Sequence, residues 1–361
     1  MASMKDVAEM AGVSVSTVSL VLNNKKTVSK ATQDRIMASV EALGYRPNMV
    51  ARGFKTKRTK AIAVLVPMIT NPVYPSFVHN IETAARREGY QVILYSYDDD
   101  SMGTANMDFL SDLYDRMVDG IIVCGIPQFP SKRNARKTEE TLKAFIERNT
   151  PFVFFSEEEQ LNHFATICKI DPSANPSLFH LLSIDREKAT YGAIKHLLQT
   201  GHKRIAFVAE GSGLAFPHNV PYMKKLAGYT RALQDSGIAF DPSIVVSGMD
   251  DYSGGDECYM KLSEGENPPT AYFCTGDIIA LGVLHAAHRC GCNVPEQVSV
   301  IGFDNIPVSS YWNPKLSTVA VPTGQIAKEA FKRLNWVLNG VDVPSNRHIF
   351  DTELIIRESS R

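Results

Sequence analysis

Residues 13–23, VSVSTVSLVLN, alternate apolar and small polar side chains so regularly that a period of two assigns them to a half-buried strand. The β-branched Val13, Val15, Thr17, Val18 and Val21 add to that preference. The flanking residues point the other way. Upstream, MKDVAEMAG sets Val7, Ala8 and Ala11 at three-and-four spacing, and Gly12 follows where a helix end accepts positive φ. Ser14 or Ser16 can then cap a second helix on which Val18, Val21 and Leu22 share one face. Val15, Ser16, Ser19, Leu20 and Asn23 take the other face. Helix, glycine turn, helix is the helix-turn-helix arrangement, whose second helix enters the DNA major groove and offers its early residues to base edges. A buried strand or an ordinary core helix is the competing reading.

The next residues extend a small helical head. In TVSKATQDRIMASVEALGYRPN, Ser29 is an N-cap, Ile36, Val40 and Leu43 fall at helical spacing, and Gly44 closes a third helix. The following RPNMVARGFKTKRT has Pro47 suited to a first helical turn. It is no longer than the roughly 12 to 15 residues at which isolated helices become stable in water, and Gly53 weakens it further. Such a segment reads as a hinge that orders when docked. Val50 and Phe54 share a face beside Arg52, Lys55, Lys57 and Arg58, as a minor-groove wedge requires. A linker whose Phe54 packs on the body is the other reading. Residues 1–60 hold eleven Lys or Arg and four acids, a net +7, so the remaining 301 residues carry −8 of the total −1. A basic head on an acidic body is the footprint of a phosphate-backbone binder joined to something else.

With 361 residues, 44% apolar and 21% charged, the chain is expected to form two or three packed domains. From Lys60, KAIAVLVP is a buried strand, FVHNIETAARREG a helix and YQVILYS a second strand, a βαβ unit. DGIIVCG and PFVFFS, separated by TEETLKAFIERN, continue one parallel sheet to about residue 156. Near residue 203 the pattern restarts: KRIAFVAE echoes KAIAVLVP, and MKKLAGYTRALQDSG, SIVVS, TAYFCTG and VSVIGFDN repeat the alternation. Two doubly wound parallel sheets in tandem imply a cleft between their strand carboxyl ends, hence a hinged two-lobed sensor.

Other function classes find little support. No apolar run approaches a membrane span and the start lacks the layout of a secretory signal, so a cytoplasmic protein is expected. Cys124, Cys168, Cys258, Cys274, Cys290 and Cys292 lack zinc spacing and read as reduced thiols, so no metal is expected. Neither a phosphate loop nor a dinucleotide glycine fingerprint follows any strand, and no cofactor is expected. The Asp98, Asp99, Asp100 run reads as solvated loop, and no enzyme is indicated.

KDVAEMAGVSVSTVSLVLN, LGYRPNMVAR, TNPVYPSFVHNIETAARREGY, AYFCTGDIIALGVLHAAHRCGCNVPEQVSVIGFDN, PKLSTVAVP and ELIIRES together resemble the LacI/GalR family of bacterial transcriptional repressors. The resemblance runs nearly end to end. It implies a helix-turn-helix head (1–46), a hinge helix and linker (47–59) and a periplasmic-binding-protein-like body (60–361). The first lobe is expected over about 60–183 and 312–342, the second over about 184–311 and 343–361. It also implies a homodimer on a pseudo-palindromic operator of double-stranded DNA, controlled by a small effector, often a sugar or nucleoside. Control by a protein corepressor stays open as the alternative.

Carried onto this sequence, the family's base readers fall on Val15, Ser16 and Leu20 and its phosphate contacts on Ser14, Thr17, Ser19 and Asn23. Its hinge contacts fall on Asn48 and Ala51, and its wedge on Phe54, where leucine is common. Leu20 stands where members commonly carry arginine, and offers only apolar contact, as to a thymine methyl. Ligand positions fall on Tyr74, Lys225, Tyr252, Gly276, Asp277 and Asp304, with Asp277 also a candidate helix cap. Lys225 replaces a clamping arginine, a point charge in place of a planar fork, and Gly276 replaces an asparagine. Residues 157–182 exceed a usual crossover, and a lid over the cleft and a surface insertion are both open.

Overall fold

The computed structural model describes residues 2–22, 28–45, 58–97, 108–126, 132–211 and 219–361. It divides into two units, Met1–Thr59 and Lys60–Arg361. Of the expected hinge, residues 47–57 lie outside the described residues.

The head is three short helices. Helix α1 (Met4–Ala11) opens on a reciprocal cap: Ser3 Oγ accepts the Asp6 N–H, and the Asp6 carboxylate accepts the Ser3 N–H at 2.7 Å. Gly12 ends it at φ 64, in the left-handed region glycine enters without a Cβ penalty. The alternating stretch is helix α2 (Val15–Leu22), and the Thr17 N–H donates to Ser14 Oγ at 3.2 Å, which makes Ser14 the cap. Helix α3 (Lys30–Ala42) starts under Ser29. Val7, Ala8 and Ala11 of α1, Val18 and Val21 of α2 and Ile36 of α3 meet in one core. That core overrides the strand propensity of α2, since only a 3.6-residue period turns Val18 and Val21 to the same side.

The body follows the alternation read from the sequence. Its first part runs β1 (Ala61–Val66), α4 (Val73–Arg87), β2 (Gln91–Ser96), α5 (Asp108–Asp115), β3 (Gly120–Cys124), α6 (Lys132–Glu147), β4 (Phe152–Phe155), α7 (Glu158–Ile167) and β5 (Phe179–Ile184). The second runs α8 (Arg186–Gln199), β6 (Ile205–Glu210), α9 (Val220–Gln234), β7 (Val245–Gly248), α10 (Tyr252–Ser263), β8 (Ala271–Cys274), α11 (Asp277–Arg289) and β9 (Ser299–Asp304). The chain ends with β10 (Ser317–Ala320), α12 (Thr323–Leu338), β11 (Arg347–Phe350) and β12 (Glu353–Ile355).

One sheet has the order β11-β5-β4-β3-β1-β2 and the other β12-β10-β9-β8-β6-β7. Each lobe reverses its winding at its first strand, β1 or β6, the two strands that open with the shared K-x-I-A pattern. The first sheet is parallel throughout, whereas β12 joins β10 antiparallel at the edge of the second. Central strands β1, β3 and β4 are buried along nearly their whole length, as helices on both faces require, while edge strands β2 and β11 are largely exposed.

Two expectations need correction. The returns between lobes come later than 312 and 343: β10 pairs with β9 of the second sheet, and β11 pairs with β5 of the first. Pairing partner, unlike strand character, leaves no local trace in so short a strand. The long segment 157–182 is neither lid nor surface insertion. Leu161 and Phe164 of α7 enter the first lobe's core, with Phe164 5.9 Å from the Phe154 ring, and β5 pairs with β4. Leu161→Ala is therefore expected to lower the unfolding free energy by roughly 2–5 kcal/mol, the range for emptying a packed leucine site. Urea midpoints of the full chain measure this; a loss within about 0.5 kcal/mol, ordinary for a surface change, would mark α7 as dispensable.

Candidate functional site

In the head, the exposed side of α2 carries the expected contact residues. Ser14, Val15 and Ser16 are exposed, Thr17, Ser19 and Leu20 partly so, and Val18 and Val21 are turned inward. Ser14 Oγ lies 2.7 Å from Ser16 Oγ and 2.8 Å from Thr17 Oγ1, a hydroxyl cluster over the amino end of α2. Hydroxyl donors and N–H groups at a helix start suit phosphate oxygens, while Val15 and Leu20 add apolar contact. Asn23, Asn48, Ala51 and Phe54 lie outside the described residues.

In the body, the second lobe's strand ends build a charged floor. Lys225 of α9 is buried, donates from Nζ to the Thr275 carbonyl at 2.5 Å and stands 4.2 Å from the Phe303 ring centroid. That places its ammonium where β8 and β9 end. Asp304 follows Phe303 with φ 108, and Asn305 has φ 59. Two successive non-glycine residues in this region cost free energy, which surrounding structure must offset. Burial pushes the Asp304 carboxyl up to about 7; Lys225 and Arg186 pull it down, and Asp277 and Asp250 push it further up.

The offset comes from Asp277. Its carboxylate, 1% exposed, accepts from the Ile306 N–H at 2.8 Å, Ser309 Oγ at 2.6 Å and Thr318 Oγ1 at 2.5 Å. These bonds tie the segment after β9 to the start of α11. The close approach depends on Gly302, whose Cβ would collide with Asp277 Oδ1. Arg357 anchors the same turn from the far side through Asn305 Oδ1 at 2.7 Å. Burial pushes Asp277 up to about 6. Its side chain caps nothing; the N-cap of α11 is Gly276.

Of the expected ligand positions, Lys225, Gly276 and Asp304 thus gather at one end of the second sheet, with Asp277 beneath them. Tyr252 is half-exposed at the start of α10, where the Asp251 carboxylate caps the helix by accepting the Gly254 N–H at 2.9 Å. Tyr74 is partly buried in the first turn of α4, in the first lobe. Three further charged residues escaped the sequence reading: Glu157 just beyond β4 of the first sheet, Arg186 at the first residue of α8 after β5, and Lys224 beside Lys225. The EEE run 157–159 and the Lys224-Lys225 doublet were the available signals.

Cys124, Cys168, Cys258 and Cys274 are buried, whereas Cys290 is exposed and Cys292 partly so. Burial pushes the thiols of Cys124 and Cys168 up to about 12 and that of Cys258 to about 11, the opposite of a reactive thiolate. Among the described residues no cluster of His, Cys, Asp and Glu could hold a metal ion, and no helix is long and apolar enough to cross a membrane. The carboxylate run Asp98–Asp100 lies outside the described residues. A cavity of about 130 Å³ lies beside the crossovers, lined by residues that include Asp185, Lys188, Val319 and Phe350, and none of the expected ligand positions lines it.

Because Asp304 and Asp277 hold protons more tightly folded than unfolded, the folded chain binds the extra proton as pH rises from about 4 to about 7, and stability declines over that window. Asp304→Asn removes the larger contribution. Urea midpoints between pH 5 and pH 7.5 are expected to fall less for D304N than for the native chain; parallel declines would place the Asp304 carboxylate in water.

Known proteins resemble the chain along its whole length. The family model described as bacterial regulatory proteins, lacI family, matches residues 3–48, and a periplasmic binding protein-like domain matches residues 194–360. The HTH-type transcriptional repressor CytR of Escherichia coli (strain K12) is 33% identical over 360 residues, covering 100% of this chain and 96% of CytR. The transcriptional regulator CelR–cellobiose complex superposes with a TM-score of 0.65 at 25% identity, covering 100% of both chains. The lac repressor dimer bound to operator and the anti-inducer ONPF shares the fold, with a TM-score of 0.78 over 99% of both chains at 24% identity.

Proposed function

The chain belongs to the LacI family of bacterial regulatory proteins, and from that premise we propose that it is a cytoplasmic homodimeric repressor whose operator affinity follows a carbohydrate or related metabolite bound between its lobes. Family membership makes it a DNA-binding transcriptional regulator with an effector-binding body. The observation that carries the effector reading is Lys225 and Asp304 at the end of the second sheet, with Tyr252 at the start of α10. Asp304, strained and set apart from the satisfied Asp277, supplies an acceptor, Lys225 a donor, and half-exposed Tyr252 an apolar face. Acceptor, donor and aromatic face together suit a polyhydroxylated ring, and the cellobiose complex of the CelR regulator supports the same class. Tyr74 would meet the ligand from the first lobe.

For the head, Ser14, Thr17, Ser19 and Asn23 would hold the backbone, and Val15, Ser16 and Leu20 would read bases. Asn48, Ala51 and Phe54 would enter the minor groove at the operator centre. With Leu20 in the reading position, an apolar contact to a thymine methyl replaces bidentate guanine recognition.

The test has a DNA arm and a ligand arm. Selection from random duplexes should return a pseudo-palindrome, and its affinity should fall steeply with salt as phosphate contacts release counterions. Leu20→Ala should cost roughly 1–3 kcal/mol on the selected site and relax preference mainly at one base pair of each half-site, the scale of one lost base contact. Thermal-shift screening against sugars and nucleosides should then find a ligand that raises the melting temperature. Asp304→Ala should abolish that shift and leave operator binding intact; an undiminished ligand response would remove Asp304 from the site.

A further inference from the structure

Glu157 lies just beyond β4 of the first sheet, is 2% exposed, and meets two cations of the other lobe. One is Arg186, at the head of α8, which packs with α9 and the second sheet. The other is Lys224 of α9, with Nζ 2.8 Å from Glu157 Oε2. Lys224 also pairs at 3.0 Å with Glu159 in the first turn of α7. The middle acid, Glu158, turns back onto its own lobe and pairs with Arg347 of β11 at 3.1 Å. Of three consecutive glutamates, the first and third reach across and the second does not.

These pairs differ in how they meet a hinge motion. Arg186 is the second residue after β5, directly at the crossover, so its contact with Glu157 survives a rotation about that point. Lys224 sits on a separate helix beyond the crossover, so its two contacts bridge the lobes away from that point and lengthen in any rotation that parts them. Breaking them leaves a buried carboxylate short of one partner, an arrangement that is strongly unfavourable unless water reaches it. Burial alone would lower the Lys224 ammonium, yet Glu157 and Glu159 hold it above the usual lysine range.

We propose that Glu157 and Glu159 form a clasp on Lys224 that holds the two lobes closed before any effector binds. The clasp occupies the segment of unusual length, so α7 serves two ends: its apolar side fills the first lobe and its acidic start bridges to the second. An effector then acts on a body whose closed form is already populated, and the free energy it must supply to shift that population is set by the clasp.

Spin labels at exposed Asn162 of α7 and Gln234 of α9, in the full chain with Cys290 and Cys292 changed to serine, report the lobe separation by pulsed electron resonance. The ligand-free native chain should give one dominant short-distance population. Lys224→Gln should at least double the long-distance fraction, and Lys224→Arg should restore the native distribution. Glu159→Gln, at an exposed carboxylate the fold tolerates losing, should shift the same way by a smaller amount. Native distributions in both K224Q and E159Q would overturn the clasp. Neither DNA nor effector enters this measurement, so its failure would leave the proposed function standing.

Discussion

Each lobe reverses its winding at its first strand, and the backbone crosses between lobes three times, after β5, after β10 and after β11. The reversal opens a crevice at the strand carboxyl ends of each sheet. The crossings keep the two crevices together: Arg186 at the crossover pulls the Asp304 carboxyl of the second sheet down, and Asp304 pushes the Cys124 thiol of the first sheet up. Everything offered to a ligand follows from that constraint. A doubly wound sheet buries its strands on both faces, so functional groups can gather only where strands end and backbone is free to turn.

The floor of the cleft shows how such a turn is maintained. Asp304 and Asn305 occupy positive-φ backbone, which Asp and Asn accept more readily than other non-glycine residues but still at a cost. Asp277 holds the following segment through three hydrogen bonds, Gly302 admits its carboxylate, and Arg357 fixes Asn305. A buried carboxylate with three donors serves the structure, and it is on Asp304 that the proposed ligand contact rests. Neighbouring acids in one motif thus take separate roles because their partners differ.

Much of this was legible in the residues. Helix periodicity and cap residues resolved α2 against its own β-branched composition, because Gly12 and Ser14 mark a helix end and a helix start whatever lies between. Apolar runs of strand length located β1, β3, β4, β6, β8 and β9, whose burial on both faces requires such runs. The exposed edge strand β11 carries no such signature, and its sheet was misassigned for that reason. Segment 157–182 was misread because a helix can be a crossover, a lid or an ornament with the same local pattern; only the packing of Leu161 and Phe164 distinguishes them. The ion pairs of Glu157 and Lys224 join residues 67 positions apart, a separation at which local spacing carries no information.

The central claim is that one polypeptide couples a DNA-reading head to an effector cleft. Thermodynamic linkage tests it without any assumption about direction. For an effector found by binding, the factor by which saturating effector changes operator affinity is measured alongside the factor by which saturating operator changes effector affinity. The account predicts a factor well away from one, equal in both experiments. Effector and operator that bind the same protein with no effect on each other would contradict it.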